Sequence, residues 1–208
     1  MRRGRPAAAL VLATAVSISV TGCGFSIPPL SGTTSDHTTQ GTPVSDTDST
    51  LDPAGIQQIL DSGTARFDLT SGALRKADVG LAVDAIVPDI SSPRPLELTI
   101  TGSGGQLRAR TDRLRFLSTA TTAEIPTIYY FLTATDPDAL FALLRAGVGA
   151  YGFDPESVEA WIAARRADPQ GTSSYALQPG EALGFRVTYD VRYDGGASAQ
   201  VVIVSVTA

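Results

Sequence analysis

The stretch LGFRVTYDVRYDGGASAQVVIVSV, residues 183–206, decides the fold class. Leu183, Phe185, Val187, Tyr189, Val191 and Tyr193 alternate with Arg186, Thr188, Asp190 and Arg192. This is the two-residue period of a strand with one buried and one wet face. Asp194-Gly195-Gly196 supplies a hairpin turn. Val201 to Val206 then returns as an almost wholly apolar run. A strand covered on both faces reads this way, so it is expected at the centre of its sheet.

Working back from the hairpin, Asp136-Pro137 and Asp154-Pro155 each pair a capping carboxylate with a proline suited to the first helical position. Leu140, Leu143, Leu144 and Val148 form an apolar stripe after the first; Val158, Trp161, Ile162 and Arg165 follow the second. The short link predicts an αα-hairpin that stops before Pro169. Between Phe67 and Thr133 the period is two. Val79, Leu81, Val83 and Val87 share one parity, with Asp78 and Asp84 opposite. Leu96, Leu98 and Ile100 alternate with polar residues, and Ser103-Gly104-Gly105 turns the chain into a strand at 107–111. Residues 114–118 and 127–133 read as further strands, and Pro88 to Pro95 as a loop. Asp52-Pro53 opens a short helix with Ile56, Ile59 and Leu60 on one face and Gly63 as its stop. These patterns predict one α+β domain over residues 52–208. It has an antiparallel sheet of about six strands, with a short N-terminal helix and an αα-hairpin packed on one face.

Ahead of this domain, 12 of the 25 residues from Ser26 to Thr50 are Ser or Thr. Too few apolar residues lie here to offset the entropy of ordering them, so 23–51 reads as a tether. Its 28-residue span from position 24 gives a reach of about 30 Å as a flexible coil. The first 22 residues carry Arg2, Arg3 and Arg5, then an uncharged run from Ala7 to Val20. That is the plan of a secretory signal, and the run is short of the ~20 residues a spanning helix needs.

Val20-Thr21-Gly22-Cys23 resembles the lipobox of bacterial lipoproteins. The resemblance covers about the first two dozen residues and implies cleavage between Gly22 and Cys23, with a diacylglycerol on the Cys23 thiol. Further fatty acylation, palmitate for example, belongs to the same family chemistry. It implies membrane attachment through that lipid, on the outer face of the cytoplasmic membrane. Two acyl chains hold a protein on a bilayer where one is marginal. One Lys against 15 Arg, with many Ala and Gly, matches a high-GC coding bias and points to an actinobacterial cell envelope. General secretion fits better than twin-arginine export, because Pro6 closely follows Arg2-Arg3.

Composition removes several function classes. Without the signal segment, 13 basic residues face 21 acidic ones. Such a surface repels nucleic acid, which is not expected as a partner. The one His, His37, sits in the tether, Cys23 is the one Cys, and there is no Asn. A histidine-based triad therefore has no base, and a His/Cys metal site has no ligand set. No catalytic residue, metal or cofactor is expected. The expected role is a non-enzymatic binding or scaffolding domain for an envelope protein, glycan or lipid. The alternatives are a carrier of an apolar ligand, which needs a cavity of several hundred Å³, and a carboxylate hydrolase, which needs two acids about 5–10 Å apart.

One candidate site stands out. Arg108, Arg110, Arg113 and Arg115 cluster within residues 107–116. Strict alternation puts 108/110 and 113/115 each on one side of a strand. An anionic-ligand patch is one reading; a solvated face that blunts a sheet edge is the other. Tyr129, Tyr130, Phe131 and Trp161 are expected chiefly as core, and adjacent Tyr129 and Tyr130 must point to opposite faces.

Overall fold

The computed structural model describes residues 48–208. Gly22, Cys23, His37 and the tether as far as residue 47 lie outside the described residues.

The body opens on α1 (Pro53–Ser62), β1 (Thr64–Asp68) and the short β2 (Leu74–Arg75). The long β3 (Ile90–Gly102) and β4 (Gly105–Leu117) follow, then β5 (Glu124–Ile125) and β6 (Thr127–Ala134). α2 (Pro137–Tyr151) and α3 (Pro155–Ala167) form the αα-hairpin, and β7 (Thr172–Ala176), β8 (Arg186–Asp194) and β9 (Gln200–Thr207) complete the chain. All three helices begin as their Asp-Pro pairs dictate. The side chains of Asp52, Asp136 and Asp154 accept from the backbone N–H groups of Gly55, Ala139 and Ser157. α1 and α2 end on Gly63 and Gly152, both left-handed.

The fold is α+β, with a correction to the sheet. Seven strands run in the order β1-β3-β4-β6-β9-β8-β7, with β2 and β5 as a separate two-stranded sheet. The main sheet is mixed, because β1 pairs parallel with β3, Phe67 opposite Ile100. The intervening chain, β2 included, carries β1 back to the same end of the sheet before β3 begins. The other pairings of this sheet are antiparallel. β9 lies inside the sheet between β6 and β8, as its sequence requires. Gln200, Val202, Val204 and Val206 are buried; Val201, Ile203 and Ser205 are half-buried on the other face.

Three further expectations change. Residues 79–87 form turns and irregular chain, not a strand, and Val83 and Ile86 are exposed. The cause is Lys76, fully buried, whose Nζ donates to the carbonyls of Val83 and Thr119, each at 2.7 Å. These bonds fold the segment back against the 119–123 loop. Pro93 and Pro95 fall inside β3 rather than in a loop. Between Ser91 and Leu96 the β3–β4 register shifts, which accommodates residues without an N–H. Finally, 107–111 and 114–118 are one strand, β4, and not two.

One face of the main sheet carries Phe67, Leu98, Ile100, Leu107, Leu114, Tyr130, Val204 and Tyr189, all buried. Ile59 of α1, Leu140 and Leu144 of α2 and Trp161 of α3 join them in one apolar core. The sheet is strongly curled around it. Two strands separate β4 from β8 in the sheet, yet the β3–β4 turn reaches the chain just before β8. Gly104 N–H donates to the carbonyl of Leu183 at 3.1 Å. A side chain at Gly102 would strike Leu183 O and the Phe185 ring, and one at Gly184 would strike Ser103 Oγ. Gly184 also has φ +80°, a conformation that favours glycine.

Candidate functional site

The four arginines of β4 owe their placement to one irregularity. Leu107 and Thr111 are buried in the first half of the strand, Leu114 and Phe116 in the second. The parity of the buried positions therefore flips across Asp112 and Arg113. This extra residue is a β-bulge. Its effect is to turn Arg108, Arg110, Arg113 and Arg115 all to the exposed outer face. Simple alternation separates the two pairs; the bulge joins them.

Thr111 holds the bulge. The β4–β6 ladder runs from Leu117 opposite Thr127 to Leu114 opposite Tyr130 and ends there. At the next position Thr111 Oγ1 takes the place of a strand partner. It accepts from the N–H groups of Arg113 and Phe131, each at 3.2 Å. Its single proton is shared between the carbonyls of Arg113 and Phe131, each at 2.9 Å. The hydroxyl thus satisfies backbone groups that the bulge removes from the ladder.

Each guanidinium has its own support. Arg108 Nη2 donates to Gln106 Oε1 at 3.0 Å. Arg110 pairs with Glu97 at 2.8 Å and Arg115 with Asp89 at 3.0 Å, both in solvent. Arg113 lies over the Phe131 ring, 5.6 Å from its centroid. Beside them β6 and β9 present half-buried Tyr129, Phe131 and Ile203. Phe131 is opposite Ile203, and Ile203 opposite Asp190 of β8. Beyond lie Arg192 and its partners Asp190, at 2.6 Å, and Ser174, at 2.5 Å. The outer face is therefore an aromatic and aliphatic strip with arginine on both flanks.

The other sequence candidates fall elsewhere. Tyr130 points into the core and Tyr129 outward, as alternation demands. Trp161 is also in the core, stacked near Tyr175 and edge-on to Tyr193 and Phe141. The Tyr130 hydroxyl is buried and makes no hydrogen bond of normal geometry, though the Tyr151 phenol is close enough to act on it. Burial, and then the Tyr151 and Tyr189 hydroxyls beside it, push its ionisation well above the ordinary tyrosine range. Tyr189 is raised in the same way, by burial first and then by Tyr151. Of the carboxylates, Asp52, Asp136 and Asp154 cap helices, Asp194 Oδ1 accepts from Gly196 N–H at 2.9 Å in its turn, and Asp89, Glu97, Asp138, Glu159, Asp168, Glu181 and Asp190 sit in surface ion pairs. Arg145 on α2 grips Glu159 on α3 with two bonds of 2.6 and 2.7 Å. That hydrogen bonding holds the Glu159 carboxyl below its ordinary value. Among the described residues no group of three His, Cys, Asp or Glu side chains is placed to hold a metal ion.

Among the described residues are two surface depressions that open to solvent. One, of about 500 Å³, lies between β7, β8 and the 194–199 turn, lined by Thr172, Ser174, Arg192 and Asp194. The other, of about 400 Å³, is lined by Glu181, Phe185, Arg186 and Thr207. No helix among the described residues is long and apolar enough to cross a membrane. No protein-family model, curated protein or solved structure matches this chain.

Proposed function

We propose that this protein is a lipid-anchored envelope protein on the outer face of the cytoplasmic membrane. In this reading residues 48–208 are a non-enzymatic binding domain, and the outer sheet face is its binding surface. The observation that carries the binding surface is the bulge at Asp112–Arg113, which gathers Arg108, Arg110, Arg113 and Arg115 on one solvent face. A bulge that only blunts an edge belongs on an edge strand; β4 lies inside the sheet, between β3 and β6. The anchor is carried by Val20-Thr21-Gly22-Cys23 and its likeness to a lipobox.

The non-enzymatic character draws on the chemistry available. Among the described residues the capping and paired carboxylates already have structural tasks, and the buried phenols are held neutral by burial. The carrier alternative needs an enclosed apolar cavity, and both depressions described above are open to solvent.

The test has two arms. In the native host, intact-mass analysis should find Cys23 as the N-terminal residue carrying diacylglycerol; a free thiol on a processed chain refutes the anchor. Separately, the purified full chain should bind isolated cell-wall material, and binding should fall when Arg108, Arg110, Arg113 and Arg115 are all changed to Ser. Undiminished binding by that variant refutes the surface.

A further inference from the structure

We infer that the ligand of the outer face is a linear phosphodiester polymer lying along β4, its phosphates held by Arg108, Arg110, Arg113 and Arg115. The inference rests on the binding-surface reading above and names the chemistry that surface selects.

Spacing is the first argument. Residues i and i+2 on one face of a strand are about 7 Å apart. The phosphorus-to-phosphorus step of an extended three-carbon phosphodiester chain is of the same order. Arg108 with Arg110, and Arg113 with Arg115, can therefore each hold two successive phosphates of one chain. Without the bulge, one pair would face the core side and the run would be broken.

Donor geometry is the second. A guanidinium offers paired N–H groups that match two phosphate oxygens at once. Each of the four is held on the outer face before any ligand arrives, Arg108 by Gln106, Arg110 by Glu97, Arg113 by the Phe131 ring and Arg115 by Asp89. The two carboxylate pairs are exposed, so they hold weakly and leave donors for a second acceptor. Asp112, the one carboxylate on β4, stands in the bulge and divides the run into two dyads. The full chain carries a net charge of −5, and without its first 22 residues 13 basic residues face 21 acidic ones, but charges beyond about 8–10 Å are screened at physiological salt. Within that distance the four arginines meet at least three carboxylates, Glu97, Asp89 and Asp112, so donor geometry and spacing, rather than a strong net field, favour a phosphate ligand.

The experiment uses the full chain in detergent, titrated with a short synthetic poly(glycerol phosphate) and followed by calorimetry. The expected result is salt-sensitive binding, weakened about tenfold or more when all four arginines become Ser, with a shallower salt dependence. Arg108→Ser/Arg110→Ser and Arg113→Ser/Arg115→Ser should each lose part of the affinity. Asp112→Ser should tighten binding, and Arg166→Ser on α3 should leave it unchanged. An unaltered thermal midpoint in the dyad variants separates lost binding from lost folding. Inorganic phosphate, polygalacturonate and phosphatidylglycerol vesicles are titrated alongside. No binding of the polymer, binding indifferent to the arginines, or equal or tighter binding of polygalacturonate or of vesicles overturns the inference. A chain that binds wall material through these arginines but ignores the phosphodiester overturns this inference alone and leaves the binding surface standing.

Discussion

At the scale of single residues, three buried polar groups give opposite expectations. Thr111 replaces missing backbone partners at the bulge. Thr111→Val keeps the shape but orphans those groups, and should destabilise the protein by about 1–3 kcal/mol in urea unfolding. Lys76 is comparable. Lys76→Met leaves the carbonyls of Val83 and Thr119 without their donor. A loss of about 1–3 kcal/mol is expected, with faster amide exchange at 81–86 and 119–123. Tyr130 is the reverse case: its hydroxyl is buried near those of Tyr151 and Tyr189 but makes no hydrogen bond of normal geometry. Tyr130→Phe removes an unpaid desolvation penalty and should leave stability unchanged or raise it by up to about 1 kcal/mol. A clear loss in that variant would show that the hydroxyl has a partner. The same phenols set a pH limit. Tyr130 and Tyr189 have raised pKa values in the fold, so the folded state favours the neutral form. Their contribution is intact below about pH 10, the unfolded value, and is lost as pH climbs from there toward the folded values. Denaturation at increasing alkaline pH should show this fall, and the Tyr130→Phe/Tyr189→Phe variant should flatten it.

At the scale of elements, the contact that closes the curl is the β3–β4 turn against residues 182–185. It depends on glycines, because backbones meet there without room for a Cβ. Gly184→Ala combines a left-handed backbone with a clash against Ser103 Oγ. It should cost about 1–3 kcal/mol, seen as a lower denaturation midpoint, and should raise amide exchange at the 102–105 turn. The helices were readable from their Asp-Pro starts, and α1 and α2 also from glycine stops, because caps are local chemistry. Strand β7 is not legible in the sequence: Thr172, Ser173 and Ser174 carry no apolar alternation, and it exists because β8 offers it a partner. The expected strand at 79–87 failed for the converse reason. Its alternation is real, and buried Val79 and Val87 use it, but Lys76 draws the chain into a turn that no two-residue period reveals.

At the scale of the whole molecule, the proposed reading divides the labour: the anchor would set location and the body would present a face. Cys23→Ser in the native host should accumulate unlipidated precursor, read as a mass shift, while the body's thermal midpoint stays unchanged. Normal processing of that variant would remove the placement at the membrane. The sequence by itself determined the α+β class, the Asp-Pro helix starts, the turns at 103–105 and 194–196 and the interior position of β9. Each of these follows from periodicity, capping or turn chemistry within a few residues. It also showed four arginines close together, though not that they share a face. Only the tertiary structure decided the parallel β1–β3 pairing, the curl that brings Gly104 to Leu183, and the bulge that brings the arginines together. Those features arise between segments far apart in the chain. There Thr111 finds Phe131 and Lys76 finds Thr119, and such pairings leave no period in the residues that make them.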